Sequence, residues 1–110
     1  MQVFIGMWKP RNSWHALSQA ERTAYLSKVT ALTRLRLGPK AESVAWGENN
    51  HAATAEQWKY FCVWRFANTD VGDAYLQVLA ENGWNDYFDT ESLRGEPKTP
   101  FDVMTRHVMV

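Results

Sequence analysis

Cysteine is almost missing from this chain. Cys62 stands alone among 110 residues, so no internal disulfide forms, and with only three histidines no zinc set is available. Charge of one sign is missing too. Lys plus Arg and Asp plus Glu both number 12, for a net charge of zero. That removes the electrostatic motive for seeking nucleic acid or an anionic membrane. No apolar run nears the roughly 18 residues of a membrane span. Residues 1–10 carry Trp8, Lys9 and Pro10 where a secretory signal would stay apolar. Repeats and low-complexity stretches are absent. A single domain with a core of its own, placed in the cytoplasm, is the expectation.

Tryptophan, by contrast, is abundant: six residues in 110. The segment Lys59–Phe66, KYFCVWRF, is aromatic, β-branched and free of Gly and Pro, as a strand should be. VFIGMW, Val3–Trp8, is a second such piece. Residues 2–8 are read as the first strand, closed by Pro10. Ser18 and Glu21 make a capping box before a helix with Tyr25, Val29, Leu32 and Leu35 on one stripe, ended by Gly38-Pro39. Residues 42–48 form the second strand, 49–57 a loop or helical turn, and 58–66 the third strand. Asn68 and Thr69 offer a cap for a helix striped by Val71, Ala74, Tyr75, Val78 and Leu79. Trp84–Leu93 reads as the fourth strand. The boundaries are a domain over 1–94 and a tail over 95–110, docked on the domain or on a partner subunit.

The order βαββαβ, with right-handed crossovers, is α+β: a ferredoxin-like sandwich with two helices on one face of a four-stranded antiparallel sheet. The other face must meet water, a ligand, nucleic acid or another sheet. VFIGMW and KYFCVWRF resemble the paired aromatic strands of the RNA recognition motif, with Phe4 in the stacking place. Against that stand the bulk of Tyr60 and Cys62 where the motif wants small residues, the long span from Phe4 to Phe61, and the zero net charge. Nucleic acid is therefore not the expected partner.

The opposite facing puts Val3, Ile5, Phe61 and Val63 under the helices and leaves Trp8, Trp46, Tyr60, Trp64, Tyr87 and Phe4 on the bare face. So large an aromatic patch calls for cover. A second copy of the sheet supplies it, enclosing a barrel about a two-fold axis. GMWKPRNSWHALSQAER, VAWGEN, YFCVWRF and GWNDYFD, within residues 1–93, resemble the dimeric α/β-barrel superfamily. Its members include antibiotic-biosynthesis-type monooxygenases, YCII-like proteins and stress-responsive barrel proteins. The pieces are most similar to an uncharacterised family of small bacterial proteins within that group. The resemblance implies fold and homodimeric assembly, and no chemistry.

The expected ligand pocket comprises Trp8, Trp46, Tyr60, Trp64, Tyr87 and Asp89, suited to a small apolar or aromatic molecule. Among aromatic rings Asp89 is a candidate general base, with Tyr87 or Tyr60 as hydrogen-bond donor, for a cofactor-free oxygenation or isomerisation. A solvated or Arg-paired carboxylate at the rim is the plainer role for Asp89. His15 and His51 lie in loops at strand ends, where either could shuttle protons or simply be solvated. No histidine lies within a strand, which argues against haem; no cofactor and no metal are expected. Trp14 and Trp84 read as core plugs, Cys62 as a small buried hydrophobe. Whether the chain is an enzyme is left open by its sequence.

Overall fold

The computed structural model describes all 110 residues. Strands β1 (Gln2–Pro10), β2 (Ala41–Glu48), β3 (Tyr60–Phe66) and β4 (Phe88–Gly95) form one antiparallel sheet in the order β2-β3-β1-β4. The short helix α1 (Asn12–His15) leads into α2 (Gln19–Leu37). Helix α3 (Thr69–Glu81) and the single turn α4 (Trp84–Tyr87) connect β3 to β4, and α5 (Pro100–Val108) ends the chain. This is the ferredoxin-like α+β topology.

Local chemistry sets the helix boundaries. The Glu21 backbone N–H donates to Ser18 Oγ at 3.1 Å, and the Ser18 N–H donates to the Glu21 carboxylate at 2.9 Å, closing the capping box. Those bonds also hold the Glu21 carboxyl below its ordinary pKa. Gly38, at φ 56° and ψ −145°, takes a positive-φ conformation that only glycine adopts readily, and α2 ends there. Asn68 Oδ1 caps α3 by accepting from Val71 N–H at 3.1 Å.

Two sequence expectations are corrected by the chain's path. The fourth strand begins at Phe88, not Trp84. Gly83, at φ 70°, turns the backbone, and its carbonyl accepts from Asp86 N–H at 3.0 Å, winding Trp84–Tyr87 into a helical turn. Asn85 and Asp86 are weak strand formers, so nothing opposes that turn. On α2 the buried stripe is Val29, Thr33 and Leu37, while Leu35 is exposed.

The facing of the sheet is the larger correction. Phe4, Cys62, Trp64 and Phe66 look toward the helices, with Phe4 only 2% exposed. Tyr75 of α3 meets the rings of Phe4, Trp64 and Phe66 at centroid distances of 5.3, 5.4 and 5.7 Å. Trp8, Trp46 and Tyr60 share that side through the strand registers. The bulk fits because α2 leans mainly on α3 and leaves a wedge above the sheet for large rings. A buried Phe4 has no face to offer a stacked base, so the RNA-binding arrangement is not built.

The open face carries the aliphatic set. Ala45, Val63, Ile5 and Leu93 stand in one row across all four strands, with Val3, Met7 and Phe61 beside it. Charge lies toward its margins: Arg65 pairs with Glu42 at 3.2 Å and Arg11 with Asp89 at 3.7 Å. On the edge strand β2 the register to β3 slips between Ser43 and Ala45, a bulge at Val44. Helix α5 is capped by Thr99 Oγ1, which accepts from Asp102 N–H at 3.1 Å. Every residue of α5 is exposed, including the Phe101, Met104 and Val108 stripe.

Candidate functional site

Small residues at the centre of the sheet create a depression. Gly6 of β1 lies opposite Cys62 of β3, and Trp46 of β2 continues that row. Large rings stand on either side of this low floor: Phe4 and Trp64 in one flanking row, Trp8 in the other. A Cβ on Gly6 would come within 3.1 Å of both Cys62 Sγ and the Phe4 ring, so the glycine keeps the floor low. Val29 and Thr33 of α2 with Tyr75 and Leu79 of α3 form the roof. The result is a cavity of about 400 Å³ between the sheet and the helices, a volume typical of small-molecule sites.

Its wall is a relay of indoles. Trp84, Trp8, Trp46 and Trp64 follow one another at centroid distances of 6.0, 5.7 and 5.9 Å, each pair close to edge-to-face. Trp46 is 53% exposed and stands at the mouth. Two of these indole N–H groups are satisfied within the protein: Trp46 Nε1 donates to Ser43 Oγ at 2.6 Å and Trp84 Nε1 to Thr90 Oγ1 at 3.1 Å. Trp64 Nε1 is buried and has no acceptor, alone among the buried side-chain polar atoms. An indole N–H can only donate, and a buried orphan donor costs about 1–3 kcal/mol.

Cys62 and Tyr75 share the inner end with Trp64. Burial pushes the Cys62 thiol up, and burial followed by the proximity of Cys62 pushes the Tyr75 phenol up further. Trp64 offsets part of both rises, yet its N–H meets neither group in hydrogen-bonding geometry. Both groups therefore keep their protons at neutral pH. Arg34 of α2, at the mouth, is the one formally charged residue of the lining.

Of the residues singled out from sequence, Trp8, Trp46 and Trp64 line this cavity; Tyr60, Tyr87, Asp89, His15 and His51 do not. Tyr60 lies beside Trp8 with ring centroids 6.0 Å apart. Tyr87 belongs to the α4 turn and packs on Tyr25 at 4.9 Å and on Trp14 at 5.6 Å. Asp89 sits on the open face, where it and Arg11 are both half-exposed, a geometry worth little. His15 and His51 are exposed, the latter donating its backbone N–H to Asn49 Oδ1 at 3.0 Å. No three His, Cys, Asp or Glu side chains gather as a metal site would require. Sequence reasoning gave Gly6 and Arg34 no role, and read Tyr75 as helix core and Trp84 as a plug. A glycine interrupting an aromatic strand was the available signal for the first.

The two aromatic motifs GMWKPRNSWHALSQAER and GWNDYFD clasp each other at one end of the domain. Arg11 N–H donates to Tyr87 O at 2.8 Å, Arg11 Nη1 to Asn85 O at 2.7 Å, and Ser13 Oγ to Asp86 O. Trp14 lies against Phe88 at 4.8 Å, and Tyr25 Oη donates to Asn82 O at 2.7 Å. These contacts anchor α1, α2 and α4 to β4, and so hold the cavity's far wall at Trp84.

Fold and cavity together define a ferredoxin-like α+β domain with an aromatic chamber beneath its helices. The chain belongs to a family of unknown function, DUF6616, whose model matches residues 1–110. No curated protein matches it. Among solved structures it is similar to TA0507, described as a chlorite dismutase, with a TM-score of 0.74 and 10% identity over 96% of this chain. It is also similar to a double mutant of chlorite dismutase from Candidatus Nitrospira defluvii, with a TM-score of 0.69 and 13% identity over 98% of this chain. The chain spans about half the length of these structures, 47% of each. At such identities the likeness is one of fold.

Proposed function

We propose that this protein is a homodimeric α/β barrel whose subunits each bind a small apolar or aromatic molecule in the chamber between sheet and helices. One observation carries the reading: a chamber of about 400 Å³ walled by indoles, with the Trp64 N–H buried and unpartnered at its inner end. A ligand acceptor, such as a carbonyl or ether oxygen, satisfies that donor. Binding is favoured over catalysis because no carboxylate or imidazole lines the chamber, and its thiol and phenol are held protonated. A cofactor-free oxygenase or isomerase acting through Asp89, Tyr87, Tyr60, His15 or His51 would have to work outside this chamber.

The dimer rests on the unbroken apolar row Ala45–Val63–Ile5–Leu93 and on the bare stripe of α5. A second copy supplies apolar cover for both. The similar solved chains are about twice as long as this one, a length that two such domains match. Kinship with antibiotic-biosynthesis-type monooxygenases and YCII-like proteins, and a cytoplasmic location, belong to the same proposal.

The test is native mass spectrometry of protein purified from cells, paired with a titration of the neutral probe N-phenyl-1-naphthylamine. A dimer that carries an added small mass, or that binds the probe, supports the reading. Trp64→Phe should weaken retention of the co-purified molecule while leaving the dimer intact. A monomer that binds nothing overturns it.

A further inference from the structure

The chamber has a charged end as well as an apolar body. Arg34 lies on the exposed side of α2 and lines the mouth. Every ion pair in the chain uses another base: Arg11, Arg36, Arg65, Arg94 or Lys98. The positions one turn away on α2 and just beyond it, Thr30, Ala31, Leu37 and Gly38, hold no acid. No acidic residue lines the chamber to offset the charge. The lining is thus asymmetric: a cation at the entrance, aromatic walls between, and a neutral N–H donor at the inner end.

We infer that the ligand of this chamber is an organic acid with an apolar body and a neutral acceptor oxygen at its far end, bound with its carboxylate outward on Arg34, its ring or chain among Trp8, Trp46 and Trp64, and that oxygen on the Trp64 N–H. The inference rests on the binding function proposed above and narrows its ligand class. A guanidinium presents a planar fork that matches a carboxylate, and because Arg34 is exposed, solvent screening keeps the gain modest. The indole faces accept a flat hydrocarbon body without regard to its substituents. Orientation follows from burial: an anion placed inward would face a protonated thiol and phenol with no cation to compensate it, whereas outward it keeps part of its hydration.

Calorimetric titration with 1-naphthaleneacetate and 1-naphthaleneacetamide at neutral pH separates the terms, because the two probes share shape and differ in charge. The acid should bind about three- to fivefold more tightly than the amide, the worth of an ion pair at an exposed guanidinium. Arg34→Gln should erase the preference by weakening acid binding more than amide binding, and Arg34→Lys should restore part of it. Rising salt should narrow the preference. Equal affinity of acid and amide, or a preference that survives Arg34→Gln, overturns the organic-acid inference and leaves the chamber a binding site. Binding of neither probe removes both.

Discussion

The ring of Phe4 meets that of Tyr75 edge-on, with centroids 5.3 Å apart and planes at 83°. The contact joins the central strand β1 to α3 on the helix-covered side of the sheet. Phe4 also touches Phe66 at 5.7 Å, so three elements meet at one ring. Phe4→Ala should therefore destabilise the fold by about 3–5 kcal/mol, the usual cost of emptying a buried phenylalanine site. Urea unfolding measures it. A loss below about 1 kcal/mol would mean that the core lies elsewhere.

Gly6 keeps the chamber floor low. Gly6→Val drives a branched side chain toward Cys62 and the Phe4 ring, which a Cβ alone already approaches to 3.1 Å. Overpacking of this kind costs about 1–3 kcal/mol. Probe binding should fall by more than the stability loss explains, because the added methyls occupy ligand space. Undiminished binding by a folded variant would place the ligand elsewhere.

Leu93 is 63% exposed at the end of the open-face row. A lone subunit should tolerate Leu93→Asp within about 0.5 kcal/mol, as surface positions do. Facing its symmetry mate across an apolar interface, the same carboxylate would be buried without a partner. Sedimentation should show the variant as a monomer with unchanged circular dichroism. A dimer of undiminished affinity would remove the open face from the interface.

Alkaline pH offers a readout that needs no ligand. Burial, with help from Tyr87 and Asp86, raises the Tyr25 phenol to about 12, and burial raises Tyr75 as well. In the unfolded chain both titrate near ~10. The folded protein therefore holds protons that the unfolded chain releases. The buried Cys62 thiol acts in the same sense from a lower start, so stability is full below about pH 8.5 and declines as pH climbs toward the folded values. Urea midpoints between pH 8 and 11 should be level, then fall. Tyr25→Phe should lower stability at pH 8 through the lost bond to Asn82 O and soften the alkaline decline. A midpoint flat to pH 11 would contradict the burial of both rings.

Much of the fold was legible in the sequence because its signals are local. The Ser18–Glu21 box, the Gly38 stop, the Asn68 cap and the period-two strands each depend on neighbouring residues alone. Topology followed from their order. The facing of the sheet was not legible, because KYFCVWRF alternates large residues with large residues. Tyr60, Cys62, Trp64 and Phe66 oppose Phe61, Val63 and Arg65, and no strong contrast in hydropathy separates the two sets. Long-range geometry decided it: α2 leans on α3, so the helix side has room for rings. Hence Trp8, Trp46 and Trp64 were recognised as a group but assigned to the wrong side. Tyr87 was drawn in through a strand that starts four residues later than its composition suggests, whereas Asp89 lies on the open face as expected and lost its aromatic company when the rings took the other side. Arg34 gave no signal, because a basic residue near a helix C-terminus is ordinary on electrostatic grounds.

The bulge at Val44 governs how the molecule can stack. β2 lies at the edge of the sheet, and a straight run of free N–H and C=O groups there would template strand upon strand from other chains. The slip between Ser43 and Ala45 puts that outer row of groups out of step, and Glu48, unlike the Arg65-paired Glu42, sets an uncompensated negative charge near one end. Copies arriving side by side find mismatched spacing and mutual repulsion. Contact face to face, over Ile5 and Val63, meets neither obstacle. The edge of the sheet thereby resists growth into an open-ended fibre.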